Sequence, residues 1–418
     1  MRCALASRGS HLARPAPGVG AVTDVSGHQS PPPSFVLHRT VRVMTFNVLA
    51  RIWEPDHLPD KGASFAKRFP TICGQIDTAS PDVAFLQEVE PSTAYRARFG
   101  AQYHILFASK AMASRAAKAS MTTTTVSSSG GDAASESAKC ASEMTEQLLG
   151  QTDDGEDGAA LLLRKSSMEL VEAHIVTCFD PFMNQHDTRL LPSARVARQF
   201  ALLALCRHIP TGEYCFVAGM HMKANGYNAP TDTEQSEDWR RVGHARQILE
   251  RFQAIRGGRM HIPFIFGGDF NAQPQSTTVD YLVRNRAVIE SYATAGGVTA
   301  PPGPSSSRLK QGPRDHGDGS DEDSQLLSRT IHHQTWLNFE SAMAMARPTR
   351  DDPEFTLLVS QYNAGGWSAT LDYILLEKGR FIVTSAWDVP PRALCGADAI
   401  PYSGSDHLPL VVDVAFLH

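Results

Sequence analysis

In the segment GGDFNAQP (Gly267–Pro274), a carboxylate, Asp269, and an amide, Asn271, follow two glycines and the apolar run Ile262–Phe266. A carboxylate that can take a proton from water, beside a neutral donor that can steady growing negative charge, suits hydrolysis at phosphorus. The run reads as a buried strand, and the glycines as a sharp turn with close backbone approach. The same design recurs along the chain. Val41–Phe46 ends in Asn47, Val83–Leu86 ends in Gln87 and Glu88, and Tyr214–Met220 ends in His221, with Lys223 just beyond. Ser405, Asp406 and His407 precede the run Leu410–Val414, and Asp372 stands at the head of another. One polar strand end is ordinary capping. Five such sets are how an α/β sheet collects a site at one rim.

Helices are expected between these strands. Phe65, Phe69, Ile72 and Ile76 recur at helical spacing around Pro70, and Trp239, Val242, Ile248, Leu249 and Phe252 form a second apolar face over Glu237–Phe252. Ser276 is placed to cap a short helix over Thr277–Val283. The strand count alone does not choose between two stacked sheets and one doubly wound sheet.

Residues 1–38 have no apolar period, and their arginines among Ala and Ser fit either a mitochondrial transit peptide or an unfolded tail. Residues 39–418 read as one domain, interrupted by polar stretches at Ala111–Asp157 and Gly296–Ser328 that are expected to be disordered or long loops. A hydrophobic content of 42% supports a sizeable core. No apolar run reaches the ~20 residues of a membrane span. The net charge of −5 argues against sequence-blind binding of long nucleic acid. Seven cysteines without paired metal spacing point to a reducing compartment and no structural zinc.

The motifs TFNVLA (Thr45–Ala50), FLQEVEP (Phe85–Pro91), DGAALLLRK (Asp157–Lys165), HMKA (His221–Ala224), GGDFNAQP, LDYILL (Leu371–Leu376) and GSDHLPL (Gly404–Leu410) occur in an order that resembles the endonuclease/exonuclease/phosphatase superfamily. The lysine-alanine pair after His221 and the DPEFT stretch (Asp352–Thr356) are most similar to its nocturnin-like, deadenylase-related branch. The resemblance implies an α/β fold of two face-to-face sheets flanked by helices. It implies that Glu88 holds Mg²⁺, with Mn²⁺ as a substitute, that Asn47 lies beside it to orient Glu88 or a water, and that Asp406 reaches the metal. Asp269 would align and deprotonate the attacking water, Asn271 and His221 would contact the phosphate, and Asp372 would fix the His407 imidazole. Lys110 and Lys223 match two positions of a basic set that recognises the extra phosphate of NADP.

Departures bear on substrate. Gln199 or Ala194 stands where an asparagine is usual, His244 replaces a helical glutamine, and arginines expected near Asn225 and Tyr362 are missing. Arg189, Arg195, Arg198, Arg240 and Arg241 are the available substitutes. Trp367 and Tyr373 could frame a base, with core packing the expectation for Tyr373. Three readings follow: a phosphatase removing the 2′-phosphate of NADP(H), a 3′-to-5′ exoribonuclease acting on the 3′ end of poly(A) RNA, and a catalytically dead binding module. A monomer in the cytoplasm or mitochondrion is expected.

Overall fold

The computed structural model describes residues 40–54, 64–123, 143–150, 156–178, 199–224, 231–284, 337–347, 352–359, 367–395 and 399–417. In chain order the strands are β1 (Thr40–Asn47), β2 (Val83–Val89), β3 (Tyr103–Ser109), β4 (Gly158–Arg164), β5 (Met168–Cys178), β6 (Gln199–His208), β7 (Tyr214–His221), β8 (Phe264–Asp269), β9 (Phe339–Ser341), β10 (Leu357–Val359), β11 (Trp367–Ala369), β12 (Asp372–Glu377), β13 (Phe381–Ala386) and β14 (Leu410–Phe416). They form two six-stranded sheets, ordered β13-β14-β1-β2-β4-β3 and β5-β6-β7-β8-β12-β9, and a small β10-β11 ribbon. Each large sheet is antiparallel except for one central parallel pair, β1–β2 in the first and β7–β8 in the second. This is the two-sheet sandwich that the resemblance implied.

Residue alternation explains the layers. Val217 and Ile265 point into the core shared with the first sheet, whereas Phe216, Ala218, Phe264 and Phe266 point the other way. The outer set is covered by Val242, Ile248, Leu249 and Phe252 of the helix Thr231–Arg256. Phe252 stacks on Phe264 at 5.0 Å and meets Phe266 edge-on at 5.5 Å. The helix Phe65–Ala79 accommodates Pro70 in its second turn and buries Ile72 and Ile76. Ser276 caps its short helix, its hydroxyl accepting from the Val279 N–H at 3.2 Å.

The strand carrying Asp269 differs from its reading as Ile262–Phe266. Pro263 has no N–H to give a ladder, and pairing begins at Phe264 and continues through both glycines to Asp269. The glycines are thus strand residues, and their purpose is close approach. Phe85 of the facing sheet lies against them: a Cβ on Gly267 would stand 2.4 Å from its ring, and one on Gly219 2.9 Å. Gly268 adds a φ of +146° and leaves no room beside the Met220 carbonyl.

The stretch Ala111–Asp157 also departs from expectation at its ends. Lys110–Thr123 and residues 143–150 are helical, and Met112, Ala113 and Leu148 are buried. Arg96 donates to the Leu148 and Leu149 carbonyls at 3.0 and 2.7 Å. Four or five apolar residues suffice for this docking, too few to register as a period. The segments 1–38 and Gly296–Ser328, together with Arg189, Ala194, Arg195 and Arg198, lie outside the described residues. Within them, five cysteines are buried and unpaired, and no helix is long and apolar enough to cross a membrane.

Gly267→Ala is expected to overpack the space against Phe85. Such overpacking costs about 1–3 kcal/mol, which should lower the melting temperature by several degrees, and Phe85→Leu in the same chain should recover part of it. A thermal melt of Gly267→Ala equal to that of the parent would contradict this packing.

Candidate active site

The rim is assembled by register. His221 at the end of β7 pairs with Asp269 at the end of β8, and Asp269 pairs with Asp372 at the start of antiparallel β12. Asn47 ends β1 beside Gln87 of β2. Past Leu86 the β2–β4 ladder slips, and Glu88 takes a φ of +57°, uncommon for a residue with a side chain. The irregularity re-aims the carboxylate out of the sheet. Asn271 shares the left-handed conformation, with φ +48°. Strained backbone of this kind is kept where the surrounding structure enforces it.

These residues converge on a cavity of about 290 Å³. Glu88, Lys110, His221, Lys223, Asp269, Asn271, Asp406 and His407 line it. Asn47 and Asp372 lie behind this wall, fully buried. Asn47 Nδ2 donates to Glu88 Oε1 and to Asp269 Oδ2, each at 3.0 Å, while its Oδ1 accepts from the Leu49 N–H. Its amide therefore presents nitrogen to the carboxylates. Asn47 thus orients Glu88 and Asp269 together. Glu88 Oε2 accepts from the Ala50 N–H at 3.1 Å. Asp269 Oδ1 accepts from the Asn271 N–H at 2.8 Å, and Asn271 spends one amide hydrogen on the Met222 carbonyl.

Asp372 Oδ2 lies 2.8 Å from His407 Nδ1, and the ring's Nε2 lies 3.7 Å from Asp269 Oδ2. His221 Nε2 also stands 3.7 Å from that oxygen and 3.9 Å from Glu88 Oε1. Asp269 is thus flanked by two imidazoles at more than hydrogen-bond length. Burial, and then the charge of Asp372, raise the Asp269 carboxyl; His407, His221 and the Asn47 hydrogen bond oppose them. Burial by itself would lower His407, but the charges of Asp372 and Asp269, the hydrogen bond to Asp372 and the charge of Asp406 together hold it well above the usual histidine value.

Asp269, Asp372 and His407 present ligand atoms within 4.8 Å of one another. His407 has committed Nδ1 to Asp372, which leaves Nε2 to face the cavity. Four carboxylates line the cavity, Glu88, Asp157, Asp269 and Asp406, against two lysines. Such an excess of anionic oxygen fits a hard divalent cation.

Several supporting residues escape a reading of motifs. Thr356, in DPEFT, places Asp372: its Oγ1 accepts from the Leu371 and Asp372 N–H groups at 2.9 and 3.1 Å. Ser405 Oγ donates to the Asn47 carbonyl at 2.7 Å and joins two strand ends. Arg68, buried on the helix Phe65–Ala79, donates to the carbonyls of Val48, Leu49 and Gly404. Its signal was a charge four residues before Ile72, on the apolar stripe. Asp157 and Trp53 also line the cavity, and Lys110 Nζ lies 3.6 Å from Asp157. Gln199 lines it too, at the position where it had been weighed against Ala194. Arg241 is buried, donates to the Lys223 carbonyl and pairs with Asp238. Tyr373 is a core residue, stacked on Phe270, with its hydroxyl donating to the Ala272 carbonyl.

The family model described as Endonuclease/Exonuclease/phosphatase family matches residues 44–407. The chain belongs to this family. It is therefore a phosphoric ester hydrolase. Comparison with the sequences of curated proteins gives no match. Among solved structures, the human Nocturnin catalytic domain with bound sulfate is similar at 19% identity and a TM-score of 0.52, over 90% of this chain and 95% of that one. ANGEL2, a 2′,3′-cyclic phosphatase, in complex with adenosine-2′,3′-vanadate, is similar at 17% identity and a TM-score of 0.59, over 90% and 96%. A Bacteroides vulgatus endonuclease/exonuclease/phosphatase follows at 14% and 0.52, over 90% and 99%. At these identities the likeness is one of fold.

The His407–Asp372 pair carries a direct test. His407 is expected to titrate above the usual histidine range, so its imidazolium stabilises the fold at lower pH, and that contribution fades as pH rises through the elevated value. Asp372→Asn removes a carboxylate that raises it and should lower the His407 pKa in an NMR titration of labelled imidazoles. An unchanged titration would exclude the pair.

Proposed function

We propose that the protein is a divalent-metal-dependent hydrolase of a ribose phosphoester on a small adenine nucleotide, with the 2′-phosphate of NADP(H) as substrate and Mg²⁺ as its ion. The observation that carries this reading is the meeting of two lysines, one from each sheet, in the cavity of Glu88, Asp269 and His407. Lys110 follows β3 and Lys223 follows β7. Two ammonium groups over a small cavity match a compact cluster of phosphate charge better than a diester backbone spread along a strand. The likeness to ANGEL2, a 2′,3′-cyclic phosphatase bound to adenosine-2′,3′-vanadate, supports an adenine ribose phosphoester.

In this reading Glu88 and Asp406 hold the ion, which supplies Lewis-acid stabilisation of oxygens bound to phosphorus. Asp269, steadied by Asn47 and the Asn271 N–H, accepts a proton from the attacking water. The water oxygen bonds to phosphorus as the ester P–O bond breaks. His407 Nε2, kept protonated by Asp372, and His221 face the phosphoryl oxygens and offset their developing charge. Lys110 and Lys223 hold the remaining phosphate oxygens. An intact set of these groups argues against a binding module without catalysis.

Glu88→Gln should reduce kcat/KM by more than about a hundredfold, roughly 3 kcal/mol of barrier, with the circular dichroism spectrum unchanged; full activity of the parent protein in EDTA would rule out the metal. Lys223→Ala should depress turnover of NADPH far more than shortening of an oligo(A) strand. Oligo(A) shortening by the intact protein, without phosphate release from NADPH, would assign it instead as a 3′-to-5′ exoribonuclease.

A further inference from the structure

The cavity is small for the proposed substrate. At about 290 Å³ it falls just under the roughly 300–1,000 Å³ of pockets that enclose drug-sized ligands. A phosphate and its ribose can enter; an attached base must lie on the rim. Among the described lining residues, Trp53 is the only tryptophan, tyrosine or phenylalanine. It is 38% exposed, well above the near-zero values of the core aromatics. None of the ring contacts found among the described residues involves it.

The mount of Trp53 is more ordered than its exposure suggests. It ends a 3₁₀ turn, Arg51–Trp53, and its N–H donates to the Ala50 carbonyl at 3.0 Å. The Ile52 N–H donates to Glu90 Oε2 at 3.0 Å, and the Arg51 guanidinium reaches Glu90 Oε1 at 3.3 Å. Glu90 is 2% exposed. A carboxylate buried to that degree is costly unless it is hydrogen-bonded, and here its bonds hold an exposed turn. On the other side, Ala50 donates to Glu88, and Arg68 grips the Val48 and Leu49 carbonyls and the Glu54 carboxylate. The indole is thus carried on backbone tied to the site's own carboxylate.

We propose that Trp53 is the platform on which the substrate's nucleobase stacks, making it a specificity residue of the site. The inference rests on the reading of the substrate as a nucleotide. A flat, amphipathic ring on a backbone turn held in advance offers stacking area at reduced entropic cost. Glu90 is then a positioning residue that acts through the turn.

The test uses the full chain with Mg²⁺ and two substrates, NADPH and ribose phosphate, the second lacking a base. Base–aromatic stacking is worth about 1–3 kcal/mol by alanine substitution, equivalent to roughly 5- to 150-fold in affinity. Trp53→Ala should therefore raise KM for NADPH by a factor in that range while leaving kcat and ribose phosphate hydrolysis near the parent values. Trp53→Phe should restore most of the KM. Adenosine 2′-phosphate should quench tryptophan emission of the parent, and Trp53→Phe should bind it with little quenching, although four other tryptophans remain. Equal effects of Trp53→Ala on both substrates, or undiminished quenching in Trp53→Phe, would overturn the platform. Failure of the intact protein to release phosphate from NADPH would instead overturn the proposed substrate, and the adenosine 2′-phosphate titration would still decide the role of Trp53.

Discussion

Two carboxylates sit buried on adjacent strands, Asp269 at the cavity wall and Asp372 behind it, with the His407 imidazole bonded to Asp372 and facing Asp269. Burying like charges side by side is strongly unfavourable unless a cation and hydrogen bonds compensate. His407 supplies the cation. Asn47 Nδ2 and the Asn271 N–H donate to Asp269, and Thr356 holds the Asp372 backbone by accepting its N–H. Much of the rim follows from this requirement. The β10–β11 ribbon brings Thr356 to Asp372, a bridge from Leu357 to His407 fixes the histidine's own backbone, and Ser405 ties that loop to the end of β1. Removing the His407 imidazole would leave two buried carboxylates without a counter-charge, so site and fold share a vulnerability.

Arg68 extends the same logic to the other side of the cavity. Its guanidinium is 3% exposed and bonds to backbone carbonyls on both the β1 exit and Gly404, with Glu54 as counter-charge. Gly404, at φ +82°, has no room for a side chain next to the Arg68 carbonyl and Ile72. The loop bearing Asp406 and His407 is thereby held at a fixed distance from the loop bearing Trp53.

The motifs made much of this legible. Each strand predicted from an apolar run is present near its expected place, and the polar residues at their ends do share one rim, because period-two burial and register are local consequences of sequence. What was not legible depends on distance along the chain. Arg68 looks like a solvated helix charge until Gly404, 336 positions away, is known to lie beside it. Asn47 looks like an ordinary polar strand end until its two carboxylate acceptors are placed. The conformation of Glu88 arises from a slip between β2 and β4 that no residue type announces. The glycines before Asp269 make the close approach their type suggests but not the turn, and what they approach is distant in sequence: Phe85 of the other sheet for Gly267 and the Met220 carbonyl for Gly268.

The first sheet has β1 at its middle, paired on one side with β2 and on the other with β14. Arg42 and Asp413, joined across the β1–β14 pair, are 371 positions apart. During synthesis β1 and β2 therefore emerge well before β14, and the other edge of β1 stays open until Leu410–Phe416 has been made. An open, apolar strand edge is a template for unwanted association, and such long-range pairing is slow. The nascent chain carries that liability from its first motif almost to its last. A ribosome that stops short of Leu410 releases a sheet split at its centre, with the loop of Asp406 and His407 unanchored.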